Sequence, residues 1–257
     1  MGGVIPLDVT NRFVVDFARR HGGRVLDYGC GAGHSVTAGL VLGIDIYGAD
    51  VFYGGSQTRR DAEATGLFRD RIREMSADHI PFEDASFHLV TNNQVMEHVE
   101  DLDATLREIA RVLKPGGVCL SVFPSRDVWR EGHIGIPFAH RLPKGSQIRF
   151  LYTWALRTCG LGTWKEQAPT NRQWAIDKLD WIDRWTHYRS RAEIFSTYNR
   201  YFESELRERA YILYRLRDSP SRVRRALART VEWPLISDVQ VALFRKLAFL
   251  VIVSRKR

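Results

Sequence analysis

Residues 25–33 of this 257-residue chain read Val25-Leu26-Asp27-Tyr28-Gly29-Cys30-Gly31-Ala32-Gly33. A short apolar run leads through an acidic residue into three glycines at alternate positions. Glycines in such a turn let the backbone approach a ligand without a clash from a side chain. The dinucleotide fingerprint requires its third glycine at position 34, where His34 stands, so a nicotinamide site is disfavoured. The stretch predicts a strand followed by a ligand-binding turn, with a plain strand-to-helix connection as the alternative.

Apolar runs alternate with helical stretches from residue 24 to about residue 122. The predicted strands cover residues 24–28, 41–47, 88–92 and 118–123, and a helix is predicted over residues 104–113. Further helices are predicted over residues 172–185 and 191–202, and a final buried strand over residues 247–253. Because this alternation builds a parallel sheet with helices on both faces, the sequence predicts an α/β fold.

Composition and charge narrow the class of protein. Hydrophobic residues make up 44% of the chain and charged residues 26%, which excludes collagen, coiled coils and largely disordered chains. Three widely separated cysteines argue against a disulfide framework and a structural zinc site. No secretory signal and no apolar run of roughly 20 residues is present, so we expect a cytoplasmic protein.

The composition changes after residue 123, where the chain becomes rich in Trp, Arg, Gly and Pro. We therefore predict a single domain over residues 1–257 in which residues 124–186 form an insertion. This Trp- and Arg-rich insertion is expected to cover the ligand edge of the sheet as a substrate lid. Residues 187–257 are expected to complete the sheet.

The formal net charge of +8 includes a group of arginines near the C-terminal end. They are Arg215, Arg217, Arg222, Arg224, Arg225 and Arg229. A solvated face, or contact with anionic lipid or a polyanionic glycan, is favoured over RNA because no nucleic-acid-binding module accompanies them. We expect no specific nucleic-acid partner, and a monomer and a homo-oligomer both stay open.

Two further acidic residues follow apolar runs. Asp45, with Ile46 beside it, ends the predicted second strand, where a carboxylate can accept hydrogen bonds from two ribose hydroxyls. Asp78 lies in Ser76-Ala77-Asp78-His79-Ile80-Pro81-Phe82, which offers an acceptor for the amine of adenine and apolar walls for its ring. Together they predict an adenosyl-binding edge, although Asp78 could instead cap a turn.

With Leu113-Lys114-Pro115-Gly116-Gly117, these motifs resemble those of class I S-adenosylmethionine-dependent methyltransferases, specifically the UbiE/UbiG-like small-molecule branch. The resemblance covers residues 24–122 and the final strand. It implies a Rossmann-like fold with a mostly parallel seven-stranded sheet, and S-adenosyl-L-methionine as cofactor. It also implies cofactor-binding roles for Asp27, Gly29, Gly31, Asp45, Ile46, Asp78, His79 and Asn93.

Methyl transfer to a hydroxyl requires a base that removes the proton. Glu97 and His98 lie just past the third predicted strand and are candidates, although the pair could instead cap the next helix or fix the loop. The resemblance also makes a divalent cation such as Mg²⁺ a candidate cofactor, because some relatives bind one with Glu-x-x-x-Glu-His. Asn93 stands at the first of those positions, so the motif is incomplete and the metal ligands are undetermined.

The insertion supplies two more candidate bases, His133 and His140, in a loop shaped by glycines and prolines. We favour one of these two histidines, with a structural hydrogen bond as the alternative role of either. The abundant Trp and Tyr suit stacking on sugar rings. The predicted function is an O-methyltransferase of a hydroxyl on a saccharide or glycolipid precursor. The alternatives are methylation of a quinone, lipid or other small metabolite, and a non-catalytic cofactor-binding subunit that activates a partner.

Overall fold

The computed structural model describes residues 7–52 and 57–257. In these ranges the strands are β1 (Val25–Tyr28), β2 (Ile46–Asp50), β3 (Ile72–Glu74), β4 (Phe87–Asn93), β5 (Leu113–Phe123), β6 (Phe202–Leu206) and β7 (Leu250–Lys256). They form one sheet in the order β3-β2-β1-β4-β5-β7-β6. Neighbouring strands from β3 to β5 are parallel, whereas β7 is antiparallel to both β5 and β6. This arrangement confirms the predicted Rossmann-like, mostly parallel sheet of seven strands.

Helices fill most of the connections between the strands. In the described ranges they are α1 (Val9–His21), α2 (His34–Val41), α3 (Gln57–Ala64), α4 (Leu102–Val112), α5 (Gln147–Thr158), α6 (Asn171–Trp185), α7 (Arg191–Tyr198), α8 (Glu208–Arg217), α9 (Arg222–Leu227) and α10 (Pro234–Leu247). Within the same residues, no helix combines the length and the apolar character needed to cross a bilayer.

The sheet is buried on both faces, as a parallel sheet with crossover helices requires. Val25 of β1 packs with Phe13 of α1 on one face, and its neighbour Leu26 packs with Leu106 of α4 on the other. The strand order reverses between β1 and β4, which opens a crevice at the carboxyl ends of these strands. This crevice is the expected ligand-binding edge.

The second strand begins later than the sequence indicates. Helix α2 continues to Val41, and Val41 and Leu42 are exposed although both are apolar. Gly43 then turns the chain with a φ of +76°, and pairing with β1 starts only at Ile46. The predicted strand over residues 41–47 is therefore wrong in its bounds, which places Asp45 before the strand rather than at its end.

The C-terminal strand is displaced in the same way. Helix α10 extends to Leu247, and β7 starts at Leu250 rather than at the predicted residue 247. Strands β6 and β7 both lie within residues 187–257 and form the antiparallel end of the sheet.

Residues 124–186 lie between β5 and α7 and contain α5 and α6. They have a small apolar core of their own around Ile134, Ile136 and Trp174. The indole of Trp174 is fully buried, and its Nε1 donates to the carbonyl of Thr163 at 3.0 Å. The insertion is thus an ordered helical unit with its own hydrophobic contacts.

Close packing of α2 on the sheet depends on Gly48 in β2. A Cβ at this position would lie 2.6 Å from Sγ of Cys30 and 2.9 Å from Cγ2 of Val36. These distances leave no room for a methyl group. The absence of a side chain therefore lets the glycine-rich turn and α2 lie against β2.

We expect Gly48→Ala to lower the free energy of unfolding by about 1–3 kcal/mol, because the added methyl group overpacks a closed contact. Gly132→Ala is the matched control, since a Cβ at Gly132 would meet nothing within 4 Å. The control should stay within about 0.5 kcal/mol of the wild type in urea unfolding. Equal effects of the two substitutions would contradict the packing argument.

Asp27 in β1 is a buried acid at the centre of the sheet. Its carboxylate accepts a hydrogen bond from the hydroxyl of Thr91 at 3.0 Å. Burial raises the pKa of Asp27 from 3.8 to about 7, which the Thr91 bond opposes. The folded protein therefore holds a proton on Asp27 over a pH range in which the unfolded chain has lost it.

Because the folded-state pKa of Asp27 is raised, the free energy of unfolding should fall as the pH rises from about 4 to about 7. Asp27→Asn removes this titration and should flatten the profile by about 3–5 kcal/mol over that window. Denaturant unfolding of both proteins across the window measures the difference in slope. Parallel profiles of wild type and variant would contradict the raised pKa.

Candidate active site

The glycine-rich turn after β1 touches the loop after β4. Gly29 has a φ of +74°, and its amide donates to the carbonyl of Ala49 at 2.7 Å. A Cβ at Gly29 would lie 2.4 Å from Cγ2 of Val95. The two segments therefore meet at the carboxyl edge of the sheet, with backbone where a side chain would not fit.

Asp50 ends β2 beside this turn. Its Oδ2 accepts the amide of Gly31 at 2.8 Å, and its Oδ1 accepts the amide of Phe52 at 3.0 Å. A carboxylate oxygen has more than one acceptor site, so both oxygens can accept a further hydrogen bond. Asp50 is thus a fixed, partly exposed acceptor at the edge where the ribose-binding acid was expected.

The expectation that Asp45 binds ribose is corrected by its position. The carbonyl of Asp45 accepts the amide of Val25 at 2.8 Å, at the amino end of β1, and its carboxylate pairs with Arg71 at 2.7 Å. Ile46 is the buried first residue of β2 at the same end. Asp45 and Ile46 therefore lie at the edge opposite the glycine-rich turn.

Asp78 and His79, the two residues predicted to bind adenine, have different surroundings in the structure. Asp78 lies in an exposed bend after β3, and its assignment to adenine stays a prediction. The ring of His79 turns towards α4, where its Nδ1 lies 3.2 Å from Oε2 of Glu108. His79 also lines a cleft with Arg24 and Ser86, which precede β1 and β4, so its side chain faces away from the crevice.

Asn93 ends β4 next to α1. Its Nδ2 donates to Oδ1 of Asn11 at 2.9 Å, and that oxygen also lies 3.3 Å from the hydroxyl of Ser35. The Oδ1 of Asn93 is buried and has no hydrogen-bond partner within the described ranges. An unpartnered amide oxygen at the crevice is an acceptor suited to a ligand's N–H or O–H group.

A buried carboxylate organises the insertion above this edge. Glu131 is fully buried and accepts hydrogen bonds from Nδ1 of His133 at 2.8 Å, from the hydroxyl of Tyr188 at 2.6 Å and from the amide of Ile134 at 2.6 Å. We call Glu131, His133 and Tyr188 the Glu131 triad. With Nδ1 bonded to the carboxylate, Nε2 is the ring nitrogen of His133 that is left for other chemistry.

The triad shifts the pKa values of its members. Burial raises the pKa of Glu131, but the bonds from His133, Ile134 and Tyr188 together outweigh it and leave the pKa lowered. Burial lowers the pKa of His133, but the bond to Glu131 and the negative charges of Glu131 and Glu97 together outweigh it and leave the pKa raised. Burial, followed by the neighbouring Glu131, raises the pKa of Tyr188. These directions favour a carboxylate that supports proton uptake by His133.

Glu97 and His98 adjoin the triad from the loop after β4. Both carboxylate oxygens of Glu97 are buried without a partner among the described residues, and burial raises its pKa to about 7. Nδ1 of His98 lies 2.6 Å from the carbonyl of Trp185, and burial lowers the pKa of His98. The rings of His98 and His133 meet edge to face with centroids 5.0 Å apart.

One potential ligand atom from each of Glu97, His98 and His133 lies within 4.8 Å of the other two. Two imidazoles and one carboxylate do not match Mg²⁺, which prefers oxygen ligands. Imidazole suits Zn²⁺ and other transition metals better. The donor set therefore does not fit the expected Mg²⁺, and Asn93 is not part of this group.

Arg189 fastens the loop after β4 to the segment that follows the insertion. Its guanidinium donates to the carbonyls of Val99 at 2.8 Å and Glu100 at 2.6 Å. The amide of His187 donates to the carbonyl of Glu97 at 2.6 Å. Backbone contacts on both sides therefore fix Glu97 and His98 relative to the triad.

His140, the other candidate base, is held differently from His133. Its Nε2 lies 3.1 Å from the carbonyl of Arg126, and its ring packs 4.9 Å from that of Tyr188. Burial lowers the pKa of His140, and its Nδ1 is buried with no partner in the described part of the chain. His140 therefore joins two parts of the insertion, whereas His133 borders a cavity.

This cavity has a volume of about 790 Å³. Its walls are formed by Gly132, His133, Thr163, Trp164, Gln167, Lys178 and Trp181. The indoles of Trp164 and Trp181 are partly exposed in it, in contrast to the fully buried Trp174. The cavity thus combines aromatic surface, polar side chains and the ring of His133.

Asp50, Tyr188 and Arg189 are parts of this edge that no motif singles out. For Asp50 a signal exists, because small residues followed by an acid, Gly48-Ala49-Asp50, suit the end of a strand beside a ligand. Tyr188 and Arg189 have no such signal, since Glu131 and Val99, the partners that connect them to the site, are more than 50 residues away in the chain.

Comparison with known proteins tests the predicted relationship to methyltransferases. A family model described as "Methyltransferase domain" matches residues 26–121. The chain is 36% identical over 99 residues to Methyltransferase GfsG of Streptomyces halstedii, a match that covers 37% of this chain and 36% of that protein. It is 29% identical over 210 residues to the Ubiquinone biosynthesis O-methyltransferase of Dinoroseobacter shibae, which covers 70% of this chain and 84% of the relative.

A solved structure shares the fold along nearly the whole chain. It is an S-adenosylmethionine dependent methyltransferase from Mesorhizobium loti, with a TM-score of 0.53 at 19% identity, covering 94% of this chain and 96% of that one. The matched family segment contains the glycine-rich turn, most of β1 and the whole of the parallel strands β2, β3 and β4. The resemblance to S-adenosylmethionine-dependent methyltransferases and the predicted cofactor are confirmed: residues 26–121 match a methyltransferase domain, and the chain has the class I methyltransferase fold.

Proposed function

We propose that this protein is an O-methyltransferase that acts on a hydroxyl of a polar ring, as in a saccharide or glycolipid precursor. One observation carries the proposal. His133 is held through Nδ1 by the buried Glu131 and borders the cavity walled by Trp164 and Trp181. A supported imidazole beside an aromatic, partly polar cavity suits proton removal from a hydroxylated ring.

The carboxyl edge of the sheet fits the cofactor. Asp50 offers acceptors for two ribose hydroxyls, and the turn from Gly29 to Gly31 brings backbone without side chains to the crevice. The unpartnered Oδ1 of Asn93 suits the ammonium of the methionine portion. We assign the ribose to Asp50 in place of Asp45, and keep Asp27, Gly29, Gly31 and Asn93 as cofactor-binding residues.

The bound cofactor supplies a methyl group that its sulfonium already activates. The protein must therefore orient the acceptor, exclude water and take up one proton. During transfer of that methyl group, Nε2 of His133 would take up the proton of the acceptor hydroxyl. The carboxylate of Glu131 stabilises the resulting imidazolium through the bond at Nδ1.

The contact between Gly29 and Val95 joins the cofactor edge to the acceptor cavity. Val95 lies in the short loop that carries Glu97, and Glu97 neighbours His133. The cavity residues all lie between 132 and 181, within the insertion. We therefore propose that residues 124–186 act as the substrate lid, with Trp164 and Trp181 stacking on the ring of the acceptor.

A quinone precursor with a phenolic hydroxyl is the second candidate acceptor. The relative from Dinoroseobacter shibae is named for ubiquinone biosynthesis, and two indole rings also fit a flat aromatic acceptor. Lys178 and Gln167 in the cavity favour the saccharide, because hydroxyls need polar partners. Transfer of labelled methyl groups to catechols and to no saccharide would favour the quinone precursor.

A non-catalytic activator subunit is the third candidate. It would need the cofactor site but no base near the transferred methyl group. The pair of Glu131 and His133 supports an enzyme instead.

We expect Asp50→Ala to weaken binding of S-adenosylmethionine by about 1–3 kcal/mol, because two ribose hydroxyls and the amide of Gly31 lose their acceptor. Asp45→Ala is the matched control and should leave the affinity unchanged, since Asp45 lies at the opposite edge. Isothermal titration calorimetry measures both. Normal affinity in Asp50→Ala, or a loss confined to Asp45→Ala, would remove Asp50 from the site.

We expect His133→Ala to lower the turnover rate at least about a hundredfold, the lower end of the range for a general base. The affinity for S-adenosylmethionine should be nearly unchanged, because His133 acts on the acceptor. His140→Ala is the control: its ring contacts the triad but lies outside the cavity lining, so turnover should fall far less. The measurement is transfer of labelled methyl groups to the acceptor that the wild type methylates in a panel of saccharides and catechols.

Two results would contradict this role of His133. Near-normal turnover of His133→Ala would place the base elsewhere, with Glu97 or His98 as the next candidates. Loss of wild-type activity on chelation, followed by recovery with Zn²⁺ or Mn²⁺, would make metal activation the better explanation of the Glu97, His98 and His133 group.

A further inference from the structure

Helix α10 presents an apolar stripe to the outside. Leu235, Val239, Leu243 and Leu247 follow one another at intervals of four residues, and all four are exposed. Leu235 is 84% exposed and Val239 67%. Residues four apart lie on the same side of a helix. This side of α10 therefore carries a row of large apolar side chains without a covering element in the described ranges.

The neighbouring turns extend this surface. Val223 and Leu227 of α9 are exposed, and Trp233 is 63% exposed just before α10. Both helices pack on the short 3-10 helix Ala228–Glu232, so they belong to one structural unit. We call residues 221–247 the C-terminal helical surface. Exposed apolar groups so closely grouped mark interaction sites in folded proteins.

The same surface is basic. Residues 221–247 contain six basic and two acidic side chains, and one of the basic ones, Arg245, pairs with the buried Glu208 at 2.9 Å. Arg222, Arg224 and Arg229 are exposed and form no ion pair with any described residue. Glu232 lies 3.9 Å from Arg217, so one of the two acids is already neutralised. Positive charge that the protein does not balance is available for an anionic partner.

We propose that the C-terminal helical surface docks on an anionic lipid bilayer. An interfacial helix places leucines and valines among the acyl chains and basic residues at the anionic headgroups. Here Leu235 and Val239 would lie among the acyl chains, and Arg222 and Arg224 would contact the headgroups. Trp233 between the two helices is the residue type that membrane–water interfaces favour. The cofactor edge plays no part in this proposal.

Charge favours a bilayer over a second copy of the chain. Two copies joined through this surface would bring Arg222, Arg224 and Arg229 towards the same arginines of the other copy. Like charges at an interface oppose association. An anionic bilayer instead neutralises the arginines while it covers the apolar stripe.

Co-sedimentation of the full chain with lipid vesicles tests the proposal. The protein should sediment with vesicles of equal parts phosphatidylcholine and phosphatidylglycerol, and stay in solution with phosphatidylcholine alone. Added salt should release part of the bound protein, because the arginine contribution is screened.

Two variants should each lower the partition coefficient at least about tenfold. Val239→Glu places a charge in the apolar stripe, and the double variant Arg222→Glu with Arg224→Glu reverses the charge beside it. Val41→Glu is the control for the first, because Val41 is 71% exposed at the end of α2. Arg69→Glu with Arg107→Glu is the control for the second, since it changes the net charge equally at exposed sites elsewhere.

Substitutions at exposed positions should leave the fold intact, which circular dichroism and thermal unfolding check. Three results would overturn the proposal. They are failure of the wild type to bind the mixed vesicles, wild-type binding by Val239→Glu, and equal losses in the variants and their controls. A wild-type dimer in sedimentation velocity that Val239→Glu converts to a monomer, without vesicle binding, would assign the surface to a second copy.

Discussion

The close approach of Gly29 to Val95 is the constraint on which the arrangement of this site depends. Any side chain at Gly29 would collide with Val95, so the turn after β1 and the loop after β4 can meet only through glycine backbone. The same loop carries Glu97 and His98, and Arg189 fastens it to the segment after the insertion. The cofactor edge and the imidazole group are therefore fixed relative to each other by contacts in which a side chain, Val95 or Arg189, meets the backbone of the facing segment.

The sheet could be predicted from the sequence because buried parallel strands require continuous apolar runs. The ends of the strands could not. Val41 and Leu42 are as apolar as a strand residue, yet they close α2, and β2 begins where Ile46 first pairs with Val25. That pairing partner lies 21 residues away in the chain. The local sequence pattern therefore favours Asp45 as the acid at the end of the second strand, whereas the register of the sheet places Asp50 there.

The types of residue in the site were predictable, but their separate roles were not. His133 and His140 share one loop and look equivalent in the sequence. They differ through partners: Glu131 holds Nδ1 of His133, and the carbonyl of Arg126 meets Nε2 of His140. Tyr188 completes the triad from 57 residues beyond Glu131. Which nitrogen is free depends on such tertiary contacts, and no spacing rule contains them.

A backbone hydrogen bond joins the proposed membrane surface to the proposed lid. The amide of Trp129 donates to the carbonyl of Lys246 at 2.7 Å, which ties the start of the insertion to the last turn of α10. Trp129 precedes His133 by four residues. If α10 rests on a bilayer, this bond holds the loop of His133 close to the lipid surface. Within the proposed function, that geometry favours a glycolipid precursor over a free saccharide, because an acceptor anchored in the bilayer would meet the lid without leaving the membrane.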